Sequence, residues 1–152
     1  MDPFGNHLII CSVLGDCYYA RVGWERAKVL LKWRGMAPIS SCCWEGLSLE
    51  NGTGKILLGS INGSIYEAEI VCSDGSKIDE KLFRNVWSIS QKGPITGIYF
   101  QTFPSVRSKY LVMISTCNSL LHFIGNYGSE GFLDVFKAYH DLPGNAALER
   151  FV

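Results

Sequence analysis

The sequence predicts an all-β fold, a partial β-propeller, from two observations: a hairpin pattern that occurs three times, and prolines that recur before apolar runs. Residues 7–21, 55–69 and 110–124 align without gaps. Each copy holds an apolar run, a serine at its sixth position, a turn residue at its ninth and then a second apolar run. Repetition at intervals of roughly 50 residues is typical of propeller blades.

The turn residues of the three copies predict where each hairpin reverses. Gly15, Gly63 and Asn118 share one column of the alignment, and Asn62 precedes Gly63. Glycine and asparagine tolerate the positive φ that a two-residue hairpin loop requires. These four residues are therefore predicted as structural turn residues. Asn62-Gly63 is the strongest signal, and a two-residue loop is its expected form.

Three blade-like units are expected, at about residues 1–34, 35–91 and 92–145. Pro38 and Pro94 stand at the start of the second and third units, and a proline suits the residue just before a strand. About three four-stranded antiparallel blades follow, the first incomplete because it lacks an inner strand. A propeller closes with roughly four to eight blades. The chain is thus expected to be part of a larger propeller, marginally stable in isolation and prone to associate.

Individual strands are predicted from apolar runs bounded by turn signals. Residues 132–140 (FLDVFKAYH) are ambiguous, with a strand favoured over a short helix, and residues 148–152 are expected to begin another inner strand. The predicted strands are 7–13, 17–22 and 27–33 in the first unit, 39–45, 55–61, 64–72 and 82–89 in the second, and 95–103, 110–116, 119–125 and 132–140 in the third.

Composition argues against several classes of function. Fourteen basic and fourteen acidic residues leave no net charge, so no electrostatic footprint for nucleic acid is visible. No apolar run is long enough to span a membrane, and no signal peptide is evident. Six cysteines without a C-x-x-C pair are interpreted as reduced thiols rather than as a zinc site.

The sequence offers no constellation for catalysis, and no catalytic, cofactor-binding or metal-binding residue is assigned. Its three histidines have no ligand spacing, and no nucleophile elbow or phosphate-binding loop is present. Glu67 and Glu69 are expected to face solvent from one strand face. A non-enzymatic protein without a small-molecule substrate follows. Tryptophans are either core residues or hot spots for a protein partner; the candidates are Trp24, Trp33, Trp44 and Trp87.

Short motifs along the whole chain resemble the vacuolar protein sorting-associated protein eighteen family, the Pep-three and deep-orange relatives. Residues 63–70 (GSIYEAEI) are similar to the family's G-x-I-[FY]-E-A-E-[LI] hairpin, and residues 2–9 (DPFGNHLI) to its strand entry. Further matches follow in the family's order, at residues 32–35 (KWRG), 123–125 (FIG), 130–132 (EGF) and 136–139 (FKAY).

The resemblance implies part of an N-terminal propeller that is followed, in family members, by an α-solenoid and a RING module. Such proteins are core subunits of the HOPS and CORVET membrane tethers. The expected role is an interaction module at the cytosolic face of late endosomes, lysosomes or vacuoles. The expected partners are other class C vacuolar sorting subunits, with indirect membrane association. A generic WD-like propeller scaffold in another cytosolic complex is the alternative, and a propeller enzyme ranks third.

Overall fold

The computed structural model describes residues 1–3, 5–45, 51–73, 77–89 and 93–141. Within these ranges the strands form three antiparallel sheets, and neighbouring strands in each sheet follow one another in the chain. Sheet 1 contains β1 (His7–Cys11), β2 (Cys17–Arg21) and β3 (Lys28–Val29); sheet 2 contains β4 (Ile39–Trp44), β5 (Ile56–Ser60), β6 (Ser64–Ser73) and β7 (Lys77–Ser88); sheet 3 contains β8 (Gly97–Phe103), β9 (Val106–Ser115) and β10 (Leu120–Asn126), and helix α1 spans Phe132–Asp141.

Sheet 2 is packed between the other two sheets. All five residues of β5 are buried, and their side chains alternate between two apolar clusters. Ile56 and Leu58 pack with Tyr19 of sheet 1, whereas Leu57 packs with Val112 of sheet 3. Period-two alternation places successive strand residues on opposite faces, so one strand supplies both interfaces. Full burial of each such aliphatic side chain contributes roughly 1.5–3 kcal/mol.

This arrangement confirms the predicted fold class, an all-β partial propeller. Three- and four-stranded antiparallel sheets stack face to face, and in the described part of the chain they do not close a ring. Among the described strands, sheet 1 has no counterpart of β4, as predicted. The unit boundaries at residues 34/35, 91/92 and 145 stay a prediction. Residues 148–152, the expected start of another strand, lie outside the described residues.

The strand favoured for residues 132–140 is wrong, because the segment forms helix α1. Phe132, Val135 and Phe136 are buried at positions i, i+3 and i+4, which is helical and not strand periodicity. The Asp134 carboxylate accepts a hydrogen bond from the Glu130 N–H at 3.1 Å. A carboxylate in the first turn also interacts favourably with the helix dipole.

The outer strand predicted at residues 27–33 is also wrong over most of its length. Only Lys28–Val29 pairs with β2, and a 3₁₀ turn over Leu31–Trp33 follows. The Glu80 carboxylate on β7 accepts hydrogen bonds from the backbone N–H groups of Leu31 and Lys32, at 3.1 and 2.9 Å. This carboxylate on a distant strand satisfies the free N–H groups at the start of the turn. No pattern near residues 31–33 predicts such a contact.

Strand β4 is only partly buried. Ser40 and Cys42 are exposed, while Ile39, Ser41, Cys43 and Trp44 are partly buried. β4 lies at the edge of sheet 2 and pairs only with β5 in the described structure. Its second side therefore has no strand neighbour there. The face of β4 that carries Ser40 and Cys42 is also exposed, whereas both faces of β5 are covered.

We predict that helix α1 is held by its apolar face. Phe136 lies 4.8 Å from the Phe123 ring and 6.0 Å from the Trp87 ring, centroid to centroid. Phe136→Ala should lower the free energy of unfolding by about 3–5 kcal/mol, because a buried ring is replaced by a cavity. Lys137→Ala, at an exposed position of the same helix, should change it by less than about 0.5 kcal/mol. Urea unfolding measures both, and equal losses would contradict the assigned helix face.

Candidate interaction surface

The glycines at the first two hairpin tips have both a conformational and a steric role. Gly15 and Gly63 have φ values of 92° and 84°, a region that side chains rarely adopt. A Cβ atom on Gly15 would lie 3.2 Å from the Met36 carbonyl oxygen, and one on Gly63 would lie 3.1 Å from that of Gly93. Each tip therefore packs against the chain that leads into the next sheet.

The first two loops have three residues rather than the two expected from Asn62-Gly63. Strand β5 ends at Ser60 and β6 begins at Ser64, and the Gly63 N–H donates to the Ser60 carbonyl at 3.2 Å. The Ser60 hydroxyl accepts the Ser64 N–H at 3.0 Å. In the same way, the Ser12 hydroxyl accepts the Asp16 N–H at 3.1 Å. A three-residue loop ending in a positive-φ glycine is a common hairpin form.

The third hairpin departs from the repeat by one position. The Thr116 N–H donates to the Ser119 carbonyl at 2.9 Å, which leaves Cys117 and Asn118 as a two-residue loop. The Thr116 hydroxyl accepts the Ser119 N–H at 3.1 Å, the role that the aligned serine has in the other loops. Ser115 instead lies 3.0 Å from Thr96, hydroxyl to hydroxyl.

Apolar side chains project from the first two tips. Val13 and Leu14 are 88% and 87% exposed, and Ile61 is 48% exposed. The outer faces of the end sheets are also apolar, with Ile10 on sheet 1 and Ile124 on sheet 3 about half exposed. Adjacent exposed aliphatic residues on a rigid turn form a surface suited to contact with another protein.

The four candidate tryptophans lie in different environments. Trp33 is fully buried and stacks on Phe83 at 5.3 Å between ring centroids, so it is a core residue here. The other three are partly buried. Trp24 packs edge-on against the buried Tyr19, Trp44 lines a cavity between sheets 1 and 2, and Trp87 lines a cleft of about 390 Å³ beside helix α1.

The expectation that Glu67 faces solvent is wrong, because its side chain is fully buried. Arg84 lies opposite it on β7 and donates to Glu67 Oε2 from Nε at 3.1 Å and from Nη2 at 2.9 Å. The Tyr127 hydroxyl donates to the other carboxylate oxygen at 3.0 Å. A buried charge is tolerated only when it is paired and hydrogen-bonded. Glu69, two residues along, is mostly covered and pairs with the exposed Lys81 at 3.4 Å.

A second polar group lies beside this one, at the interface of sheets 2 and 3. The Tyr110 hydroxyl donates to Glu45 at 2.8 Å, and Lys55 lies 3.7 Å from the same carboxylate oxygen. The Lys55 ammonium also lies 4.3 Å from the centre of the Tyr127 ring. Burial, and then the neighbouring carboxylates, raise the pKa of Tyr110 and of Tyr127 above its ordinary value. Both phenols are consequently hydrogen-bond donors that join the sheets.

Titratable side chains also occur outside these two polar groups. His7 is buried, and its Nδ1 lies 2.6 Å from the Tyr19 hydroxyl. Among the described residues, no three His, Cys, Asp or Glu side chains converge as metal ligands. In the same residues, no helix is both long and apolar enough to cross a membrane. Cys117 lies exposed in the third turn, between the strands predicted at 110–116 and 119–125.

Comparison with protein families decides where the chain belongs. The family described as the Pep3/Vps18/deep orange beta-propeller domain matches residues 1–150. The chain belongs to this family. It is also 34% identical over 151 residues to the vacuolar protein sorting-associated protein 18 homolog of Danio rerio, an alignment that covers 93% of this chain and 15% of that protein. The Pep3/Vps18 chain described here thus spans about 15% of the length of that relative.

We predict that Gly63 of this Pep3/Vps18 propeller tolerates asparagine better than a β-branched residue. Gly63→Val should lower the free energy of unfolding by roughly 1–3 kcal/mol, because valine is strained at positive φ and its Cβ crowds the Gly93 carbonyl. Gly63→Asn should lower the free energy of unfolding by less, because asparagine tolerates positive φ better than valine. Gly93→Ala, where an added Cβ meets nothing within 4 Å, is the matched control. Thermal melts compare the three variants, and an unchanged Gly63→Val would refute the tip geometry.

We also predict that the buried and exposed ion pairs between β6 and β7 differ in their contribution. Glu67→Ala should lower the free energy of unfolding by about 3 kcal/mol, since Arg84 loses its buried partner while keeping some contact with water. Lys81→Ala removes the exposed pair with Glu69 and should cost about 0–1 kcal/mol. Chemical denaturation of the two variants measures the difference. Similar losses would show that burial of Glu67 has no energetic consequence.

Proposed function

We propose that the chain is a non-enzymatic interaction module of a vacuolar or endolysosomal membrane tether of the HOPS and CORVET type, acting in vesicle docking and fusion. The observation that carries this proposal is the family match over residues 1–150. It is supported by a relative that is named for vacuolar protein sorting. Because the chain spans a small share of that relative, the role proposed is binding by one part of a larger assembly.

The side-chain chemistry supports binding over catalysis. The polar groups that the structure buries bond to one another: Glu67 to Arg84 and Tyr127, and Tyr110 to Glu45. These hydrogen bonds connect strands and sheets, so the polar atoms that form them already have partners within the protein. Exposed apolar side chains lie at the hairpin tips and on the end sheets. A surface of this kind suits association with another protein.

The proposed partners are the other class C vacuolar sorting subunits of the HOPS and CORVET tethers. Membrane association would be indirect, through those partners, at the cytosolic face of late endosomes, lysosomes or vacuoles. The charge balance supports this, because basic and acidic residues are equal in number and give no strong attraction to anionic lipids. Neither a nucleic acid nor a small-molecule substrate is part of the proposal.

We assign the partner contact to the hairpin tips, with Val13 and Leu14 as its centre. Both are apolar and almost fully exposed, so their replacement leaves the core intact. Trp24, Trp44 and Trp87 remain candidate contact residues, because each keeps part of its surface exposed. The burial of Trp33 places it in the core instead.

The proposal is tested by purifying the tagged chain from cells and identifying what copurifies. Class C vacuolar sorting subunits, with staining of endolysosomal membranes, are the expected result. A Val13→Asp, Leu14→Asp double variant should lower their recovery by about tenfold, which corresponds to roughly 1.4 kcal/mol. Val106→Asp is the control, since Val106 is 44% exposed and begins β9 at the opposite end of its strand from the third hairpin turn.

The outcomes test the tether and the location of the contact separately. Recovery of only nuclear or secreted proteins, without endolysosomal staining, would overturn the tether and favour a generic propeller scaffold. Equal recovery by the tip variant and the control would leave the tether in place but refute the assignment of the contact to the tips. Circular dichroism of all variants confirms that the sheets are retained.

A further inference from the structure

Two cysteines face each other across the first hairpin. Cys11 ends β1, Cys17 begins β2, and they are directly opposite in the register, with their sulfur atoms 2.9 Å apart. The Ser12 N–H donates to the Asp16 carbonyl at 2.8 Å, which makes Ser12 and Asp16 the hydrogen-bonded pair. Cys11 and Cys17 are therefore the neighbouring non-hydrogen-bonded pair, in which Cα atoms lie about 4.5 Å apart and side chains are closest. That separation is within the range of about 4.4–6.8 Å found in disulfides.

The two thiols differ in access to solvent. Cys17 is 1% exposed, whereas Cys11 is partly exposed and lines an open cavity of about 190 Å³ between sheets 1 and 2. The Cys17 S–H donates to the Cys11 sulfur. This hydrogen bond lowers the pKa of the Cys11 thiol and raises that of Cys17. A partly exposed thiol of lowered pKa beside a buried thiol is the arrangement of an attacking and a resolving cysteine.

We propose that Cys11 and Cys17 form a thiol–disulfide exchange site that reacts with small disulfides of the glutathione type. The Cys11 thiolate attacks one sulfur of the glutathione disulfide, whose S–S bond breaks and releases one glutathione thiolate. The Cys17 thiol then gives its proton to solvent and attacks the Cys11 sulfur, releasing the second glutathione. The two cysteines lose two electrons and two protons in total, and one glutathione disulfide becomes two glutathione thiols.

Cys42 is a less suitable partner for Cys11, although it lines the same cavity. It lies on β4 in another sheet, and no strand pairing between β1 and β4 occurs in the described residues. No register therefore holds its sulfur against Cys11. Its neighbour Cys43 points to the opposite face of β4, because successive strand residues alternate.

The test uses the purified chain with reduced and oxidised glutathione in varied ratio, followed by alkylation of free thiols. Trypsin releases residues 1–21 as one peptide, in which Cys11 and Cys17 are the cysteines, because Arg21 is the first basic site. Mass spectrometry should show this peptide lighter by two hydrogen atoms and protected from alkylation, and a dithiol reductant should reverse both changes. Because this measurement is made on the unaltered chain, it does not depend on the folding of any variant.

Serine variants then assign the roles. Cys17→Ser should accumulate a stable mixed disulfide of glutathione with Cys11, whereas Cys11→Ser should leave Cys17 reduced. Cys117, exposed in the third turn, is the control thiol that accepts glutathione without forming an internal disulfide. The proposal is overturned if residues 1–21 stay reduced while Cys117 is modified, or if Cys11 becomes linked to Cys42.

Discussion

The burial of β5 on both of its faces is the constraint on which the other sheets depend. Ile56 and Leu58 complete the interface with sheet 1, and Leu57 completes the interface with sheet 3. In the described structure sheet 1 has sheet 2 as its apolar neighbour, whereas sheet 3 packs against both sheet 2 and helix α1. The three sheets therefore form a stack with sheet 2 in the middle, as in repeat proteins whose units contact only their neighbours.

Close approach between successive units sets the geometry of that stack. The glycine tips at Gly15 and Gly63 allow the chain entering the next sheet to pass within van der Waals contact. Between sheets 2 and 3, Tyr110 and Tyr127 bring their hydroxyl groups to carboxylates on the neighbouring sheet. Apolar packing supplies most of the stabilisation, whereas these directional contacts add specificity to the interface between sheets 2 and 3.

Sequence patterns predicted the features that depend on local chemistry. The three hairpins could be located from serine, glycine and asparagine at fixed spacing. The loop lengths could not, nor could the offset of the third turn, where Thr116 takes the role of the aligned serine. The strand favoured for residues 132–140 was wrong, because a short apolar segment is compatible with either element until its buried face is known. That face is set by Trp87 and Phe123, against which Phe136 packs. The family resemblance rested on motifs distributed over the whole chain, and it proved correct.

The candidate surface was predictable only in part, for a similar reason. Burial of Glu67 depends on Arg84 from the facing strand and on Tyr127 from the next sheet, and neither distance can be read from the sequence. The same holds for Trp33, whose 3₁₀ turn is held by Glu80 from another sheet. Contacts between residues remote in the chain decide which polar groups face inward, whereas turn chemistry decides only where strands reverse.

Arg84 pairs with two carboxylates of different exposure, Glu67 on β6 and Glu130 before helix α1. The two ion pairs therefore differ in their sensitivity to ionic strength. Its contact with Glu67 is buried, whereas Glu130, 3.7 Å away on the turn that leads into the helix, is 65% exposed. Dissolved ions screen exposed charges over about 8–10 Å at physiological concentration but reach buried ones far less. Added salt will therefore weaken the Arg84–Glu130 pair before the Arg84–Glu67 pair. The turn before α1 then loses an electrostatic contact while β6 and β7 keep theirs.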